Sequence, residues 1–133
     1  MKISTRGRYA LRFMIDLAKH DGPDYVSLKD ISARQEVSVK YLEQIASLLS
    51  KQGLLLSVRG PTGGYKLAKK TSEYTVKEIL SVTEGDLSPI SCLVDTPNKC
   101  PRASICETLT FWTEFKDSID SFLSKKTLQD FLK

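Results

Sequence analysis

Cys92, Cys100 and Cys106 are the residues of this 133-residue chain whose type and spacing could do chemistry. They are its only cysteines, and they form the pattern C-x7-C-x5-C within 15 residues. Random placement would gather all three into such a window about 4% of the time, so the clustering requires a reason. An odd count fits a disulfide framework poorly, which leaves thiolate ligation of a metal or cluster as the chemistry the pattern implies. Three thiolates with one oxygen ligand would also suit zinc, and three independent thiols are the plain alternative. His20, the lone histidine, closes a helical stretch beside Asp16 and Asp21, where an imidazole serves the helix dipole better than a metal. No nucleophile-base or acid-base set is evident beside the thiols, so an enzyme is not expected. The glycine-rich GPTGG at 60–64 lacks the Lys-Ser/Thr of a phosphate-binding loop and reads as a turn.

The thiols occupy an irregular stretch, Asp86 to Ser104 with Cys106 at its edge, rich in Pro, Ser and Asp and without a sustained period. Loops of that length in small proteins are usually functional or mobile. The elements that must position it lie on either side. Upstream, Ser27 to Ala68 reads as helix, turn, helix and hairpin. SLKDISARQEV turns Leu28 and Ile31 inward and breaks at Val37-Ser38. SVKYLEQIASLLSK then puts Val39, Leu42, Ile45, Ala46 and Leu49 on one face and Lys40, Tyr41, Glu43, Gln44 and Lys51 on the other. After Gly53, LLLSVRG and YKLAK make two short strands around a Pro/Gly turn, with Val58, Tyr65 and Leu67 at alternating positions. The expected fold is mainly α with a small β-hairpin wing, a winged helix-turn-helix. In such a unit the second helix presents its polar N-terminal end to the major groove, and Arg59 beside Gly60 suits a narrow, electronegative minor groove.

Before this unit, MKISTRGRYALRFMIDLAKHDG predicts a helix capped at Ser4 or Thr5, with Tyr9, Ala10, Phe13, Met14, Leu17 and Ala18 inward. Lys2, Arg6, Arg8 and Arg12 crowd its opening turns, a poor match to the helix dipole and a good one to a DNA backbone. After it, TVKEILSVTEG predicts a helix stopped at Gly85. From Glu107 onward a C-terminal helix carries Leu109, Trp112, Phe115, Ile119, Phe122 and Leu123, with Leu128, Phe131 and Leu132 beyond a break at Thr127. That stripe exceeds what a small winged domain needs to cover itself and predicts a dimerisation helix. The chain thus divides into a DNA-binding unit over 1–85, a cysteine loop over 86–106 and a dimerisation helix over 107–133.

Charge follows the same division. Residues 1–70 hold 13 Lys/Arg against 6 Asp/Glu, and residues 71–133 hold 7 against 10, so the winged half is the basic half. No apolar run approaches the roughly 20 residues of a membrane helix and the chain opens without a signal-peptide pattern. A cytoplasmic protein without a membrane partner is expected.

The runs MKISTRGRYALRFMIDLA, LKDISARQEVSVKYLEQI and SVRGPTGGYKLAK, the cysteine loop and the ending FLSKKTLQDFL together resemble the Rrf2 family of winged-helix transcription regulators over essentially the whole chain. The resemblance is strongest to the family's iron-sulfur regulators, with its cysteine-metabolism repressors and nitric-oxide sensors as relatives. It implies a homodimer on a palindromic double-stranded operator, with Ser38 to Gln44 in the major groove and Arg59 in the minor groove. It also implies an iron-sulfur cluster on Cys92, Cys100 and Cys106. The iron-sulfur members place a histidine ligand three residues after the third cysteine, and that position here is Leu109. The nitric-oxide sensors use an aspartate of the first helix, and that position is Arg8. Glu107, a water or a small thiol would then complete the site. The N-terminal and recognition segments resemble those of the iron-sulfur regulators more than those of the nitric-oxide sensors, and that resemblance implies [2Fe-2S] over [4Fe-4S]. DNA contacts are expected from Lys2, Arg8, Ser38, Lys40, Tyr41, Glu43, Gln44, Arg59, Gly60, Gly63, Gly64 and Tyr65. A cluster-free alternative, after the cysteine-metabolism repressors, has the cysteines as thiol sensors and an enzyme as protein partner.

Overall fold

The computed structural model describes residues 2–132. Helices α1 (Thr5–Lys19), α2 (Leu28–Gln35) and α3 (Val39–Lys51) precede an antiparallel hairpin of β1 (Leu55–Val58) and β2 (Gly64–Leu67), followed by α4 (Val76–Glu84) and α5 (Leu109–Lys125). Single 3-10 turns stand at Thr71–Glu73, Ser91–Leu93 and Leu128–Phe131. Helix starts are set by hydroxyls that accept orphan backbone N–H groups. Ser4 accepts from Gly7 at 3.0 Å, Ser27 from Asp30 at 3.1 Å, Ser38 from Tyr41 at 3.2 Å and Thr75 from Glu78 at 3.0 Å. Gly85, at φ 71°, closes α4. Glu36, at φ 56°, makes the tight corner between α2 and α3.

One core joins these pieces. Phe13, Met14 and Leu17 of α1, Ile31 of α2, Leu42, Ile45 and Leu49 of α3, and Ile79 of α4 are fully or almost fully buried. Two apolar positions of these patterns are exposed in the structure. Val39 is 38% exposed because it is the first residue after the Ser38 cap, before α3 meets α1. Val58 is 46% exposed, paired with Gly64 at the turn end of the hairpin, where no element covers it. Val26 adds an unanticipated bridge to the wing. Its N–H and carbonyl both bond Tyr65 at 2.8 Å, which ties the segment before α2 to β2.

The C-terminal segment behaves in two ways. α5 starts at Leu109 rather than Glu107 and packs along α4, with Lys77 Nζ 3.8 Å from Asp120 Oδ1, and none of its side chains is buried. Phe111 and Phe122 each remain 60% exposed, and an apolar groove of about 550 Å³ runs beside Leu11, Val76, Leu80, Phe122 and Leu123. After the break, Thr127 bridges Thr75, and Leu128 enters the winged core fully buried. Among the described residues no helix is long and apolar enough to cross a membrane.

Tyr74 holds the base of the wing. Its ring is fully buried, its hydroxyl donates to the Leu54 carbonyl at 2.6 Å, and it accepts from the N–H groups of Ala68 and Lys69 at 2.8 and 3.2 Å. One side chain therefore fastens the entry to β1 and the exit from β2. Tyr74→Phe keeps the ring and strands these groups, at a cost of about 1–3 kcal/mol. Urea denaturation should show that loss, with hydrogen exchange accelerated first at Ala68 and Lys69.

Candidate nucleic-acid interface and cysteine loop

The exposed side of α3 is polar because its apolar side is committed to the core. Lys40, Glu43, Gln44 and Ser47 share a shallow cleft with Arg6 of α1. Ser47, Ser50 and Lys51 share a second hollow with Ser57, Arg59 and Gly64 of the wing. The recognition face therefore runs from the start of α1, across α3, to Arg59, with cationic side chains at both ends. Such a surface matches a groove floor flanked by phosphates.

The expected contact residues separate on this frame. Ser38, Lys40, Glu43, Gln44 and Arg59 are exposed along that line, and Lys2 is exposed ahead of α1. Ser38 also caps α3, so its oxygen is already an acceptor for Tyr41 N–H. Arg8 lines the groove beneath α5, while Arg6, one position from Gly7, lies with α3. Tyr41 is half-buried and meets Tyr9 edge-on at 5.7 Å; Tyr65 is half-buried and meets Phe13 at 6.3 Å. Gly60, at φ 110°, turns the wing, and its carbonyl accepts from Gly63 N–H at 3.0 Å. A Cβ on Gly63 would lie 2.1 Å from the Val58 carbonyl oxygen, and one on Gly64 at 2.1 Å from that of Val26. These two glycines shape the wing by letting backbones meet.

The cysteines sit apart from that face, in the loop between α4 and α5. Cys92 is in the 3-10 turn Ser91–Leu93, and Cys100 N–H donates to Asn98 Oδ1 at 2.8 Å. Cys106 Sγ is 3.5 Å from Thr108 Oγ1. All three are free and half-buried. The Thr108 hydroxyl, the N–H groups of Thr108 and Leu109, and Arg102 hold the Cys106 thiol below its ordinary range. Three thiols on one loop have the right chemistry for a soft metal or an iron-sulfur cluster. As the loop is folded, no three His, Cys, Asp or Glu side chains among the described residues converge on a metal site. Ligation therefore requires the loop to close. Glu107 is exposed beside Cys106.

A family model described as Rrf2, iron-dependent transcriptional regulator, matches residues 3–133. The chain belongs to the Rrf2 family. It is 39% identical over 130 residues to the transcriptional regulator IscR of Pectobacterium atrosepticum, covering 98% of this chain and 78% of that one. The structure of CymR, the global cysteine regulator of B. subtilis, superposes with a TM-score of 0.82 at 38% identity, covering 99% of this chain and 96% of that one. IscR of T. potens superposes with a TM-score of 0.76 at 39% identity, covering 99% and 86%. This Rrf2 chain is accordingly a DNA-binding winged-helix transcriptional regulator and not an enzyme.

The site depends on a residue that periodicity alone did not single out. Asp16 lies on the buried side of α1 at 2% exposure. It accepts two bonds from the Arg34 guanidinium, at 3.0 and 2.7 Å, and one from Gln35 Nε2 at 2.9 Å. His20, expected at the surface near Asp16, has a side chain 43% exposed and sits 3.6 Å from that carboxylate. The available signal was position, since Asp16 follows Phe13 by three residues on the inward face. Burial alone would raise the Asp16 carboxyl, but the Arg34 and Gln35 bonds, the Arg34 charge and His20 outweigh it and hold it below its usual value. A carboxyl depressed in the folded state stabilises above its unfolded value, and that contribution is lost as pH falls through the folded one. Arg34 keeps 35% side-chain exposure, which reduces the cost of breaking the pair. Asp16→Ala should lower stability at pH 7 by about 2 kcal/mol. In urea melts the gap from wild type should narrow as pH falls below about 4.

Proposed function

We propose that this Rrf2 regulator is a homodimer on a palindromic operator and that its three cysteines report iron-sulfur cluster status to transcription. The observation that carries the DNA part is the continuous exposed line from Arg6 through Lys40, Glu43 and Gln44 to Arg59, on a helix whose other face is buried. In this reading α3 enters the major groove, Arg59 enters the minor groove, and Lys2 contacts the backbone. The uncovered aromatic face of α5, with Phe111, Phe115 and Phe122 exposed, supports pairing of two chains. Two-fold pairing would set the recognition helices about 34 Å apart, one DNA turn. The parts are then a DNA-binding unit over 1–85, a sensing loop over 86–106 and a pairing segment over 107–133.

Cys92, Cys100 and Cys106 would hold the cluster as thiolates, with Glu107, a water or a small thiol as the fourth ligand, and [2Fe-2S] is favoured over [4Fe-4S]. A bound cluster supplies an iron- and oxidation-sensitive tie between the thiolates. Closing the loop on that tie orders the segment between the winged unit and α5, which biases how two winged units are spaced. A second reading rests on the likeness to CymR, the global cysteine regulator. There the cysteines act as cluster-free thiol sensors and an enzyme is the protein partner.

Arg59→Ala should weaken binding to a selected operator duplex by more than about 1 kcal/mol in titrations at fixed salt; unchanged affinity would remove the minor-groove role. Anaerobic purification should give a brown protein with about two iron and two sulfide per chain, both lost in Cys92→Ala. About four iron would change the cluster type. A colourless, iron-free protein would transfer the cysteines to the thiol-sensing reading and leave DNA binding intact.

A further inference from the structure

Arg12 belongs by charge with Lys2, Arg6 and Arg8, the basic start of α1, and by charge alone it would be a phosphate contact. Its surroundings give it a different task. The guanidinium lies 4.9 Å from the centre of the Tyr9 ring. Its Nε donates to Gln35 Oε1 at 3.1 Å, and a terminal nitrogen donates to the Gln35 carbonyl. That carbonyl belongs to the last residue of α2, one of the end carbonyls that the helix leaves without an internal partner. Arg12 therefore holds the end of α2 immediately before the corner at Glu36 from which α3 departs.

The same contact is braced from both directions. Gln35 Nε2 donates to the buried Asp16 carboxylate at 2.9 Å, which turns the amide so that its oxygen faces Arg12. Arg34 donates twice to that carboxylate. On the other side, the Tyr9 ring under the guanidinium meets Tyr41, in the first turn of α3, edge-on at 5.7 Å. Asp16, Gln35, Arg12, Tyr9 and Tyr41 thus form an unbroken series from the buried side of α1 to the first turn of α3. Only a planar cation with several fixed donors can lie on a ring while bonding an amide oxygen and a carbonyl together.

We propose that Arg12 is a positioning residue that sets the angle at which α3 leaves α2, held in place by Asp16 through Gln35, and that it does not act as a phosphate contact. The proposal rests on the reading of α3 as the groove-entering helix. A misplaced helix loses base contacts while phosphate contacts elsewhere persist. The loss then falls on specific binding and leaves the salt dependence of binding unchanged.

The experiment compares wild type, Arg12→Lys, Arg12→Ala and Gln35→Met. Each is titrated over a salt series against a duplex selected from a random pool by the wild-type chain, and against poly(dI-dC). Circular dichroism melts establish that each variant is folded. Arg12→Lys should bind the selected duplex about tenfold more weakly, as Arg12→Ala does, with poly(dI-dC) affinity and the slope of log K against log salt unchanged. Gln35→Met, which alters no charge, should reproduce the loss of specificity. Rescue by Arg12→Lys, with Arg12→Ala lowering both affinities alike and reducing the slope by about 0.9, would make Arg12 a phosphate contact and overturn the proposal. Full affinity in Gln35→Met would also overturn it. A wild-type chain that selects no duplex from the pool would instead sink the groove-reading function, and the positioning role with it.

Discussion

A carboxylate buried on the inward face of a helix is costly to desolvate, and a protein keeps one charged only where donors replace the lost water. Asp16 meets that condition with three donors, two from Arg34 and one from Gln35, all at the C-terminal end of α2. The arrangement constrains direction as well as distance. A bidentate guanidinium-carboxylate pair fixes a plane, so the end of α2 is oriented against α1 and not merely held near it. Hydrophobic packing of Ile31 and Leu42 against Phe13 and Met14 brings the helices together but tolerates sliding. The polar set restricts the sliding. The place from which α3 starts, and hence the course of the recognition face, follows from that restriction.

The difference between what could and could not be read from the sequence has the same origin. Local signals were legible: the cap at Ser4, the break at Val37-Ser38, the Gly85 stop, the inward faces of α1 and α3 and the break at Thr127 each depend on residues within a few positions. Features that depend on distant partners were not. Asp16 looks like an ordinary charge until Arg34 and Gln35 are placed beside it. Tyr74 looks like a residue before a helix until Leu54 and Ala68 converge on its hydroxyl. Arg6 and Arg8 are indistinguishable by composition, and the turn of α1 sends one to the α3 cleft and the other to the groove beneath α5. Val39 and Val58 satisfied the period and still face solvent, because a period says which side a residue takes and not whether anything covers that side.

The winged unit and the cysteine loop are joined at a point under similar constraint. α4 ends at Glu84, and the Glu84 carboxylate accepts from the Ser4 N–H at 2.6 Å and from the Ser4 hydroxyl at 2.7 Å. Ser4 is also the cap of α1, so one serine closes the start of α1 and receives the end of α4. Burial would raise the Glu84 carboxyl, and the two Ser4 bonds, Thr83 and Arg6 hold it low instead. Gly7 permits the approach, since a Cβ there would fall 2.9 Å from Glu84 Oε2. The loop carrying Cys92, Cys100 and Cys106 begins at the next residue but one. Its first anchor is therefore the turn of α1 that also bears Arg6, the residue sharing a cleft with Lys40, Glu43 and Gln44. The Glu84–Ser4 contact places the root of the cysteine loop and the basic edge of the recognition face on the same turn of helix, without passing through the apolar core.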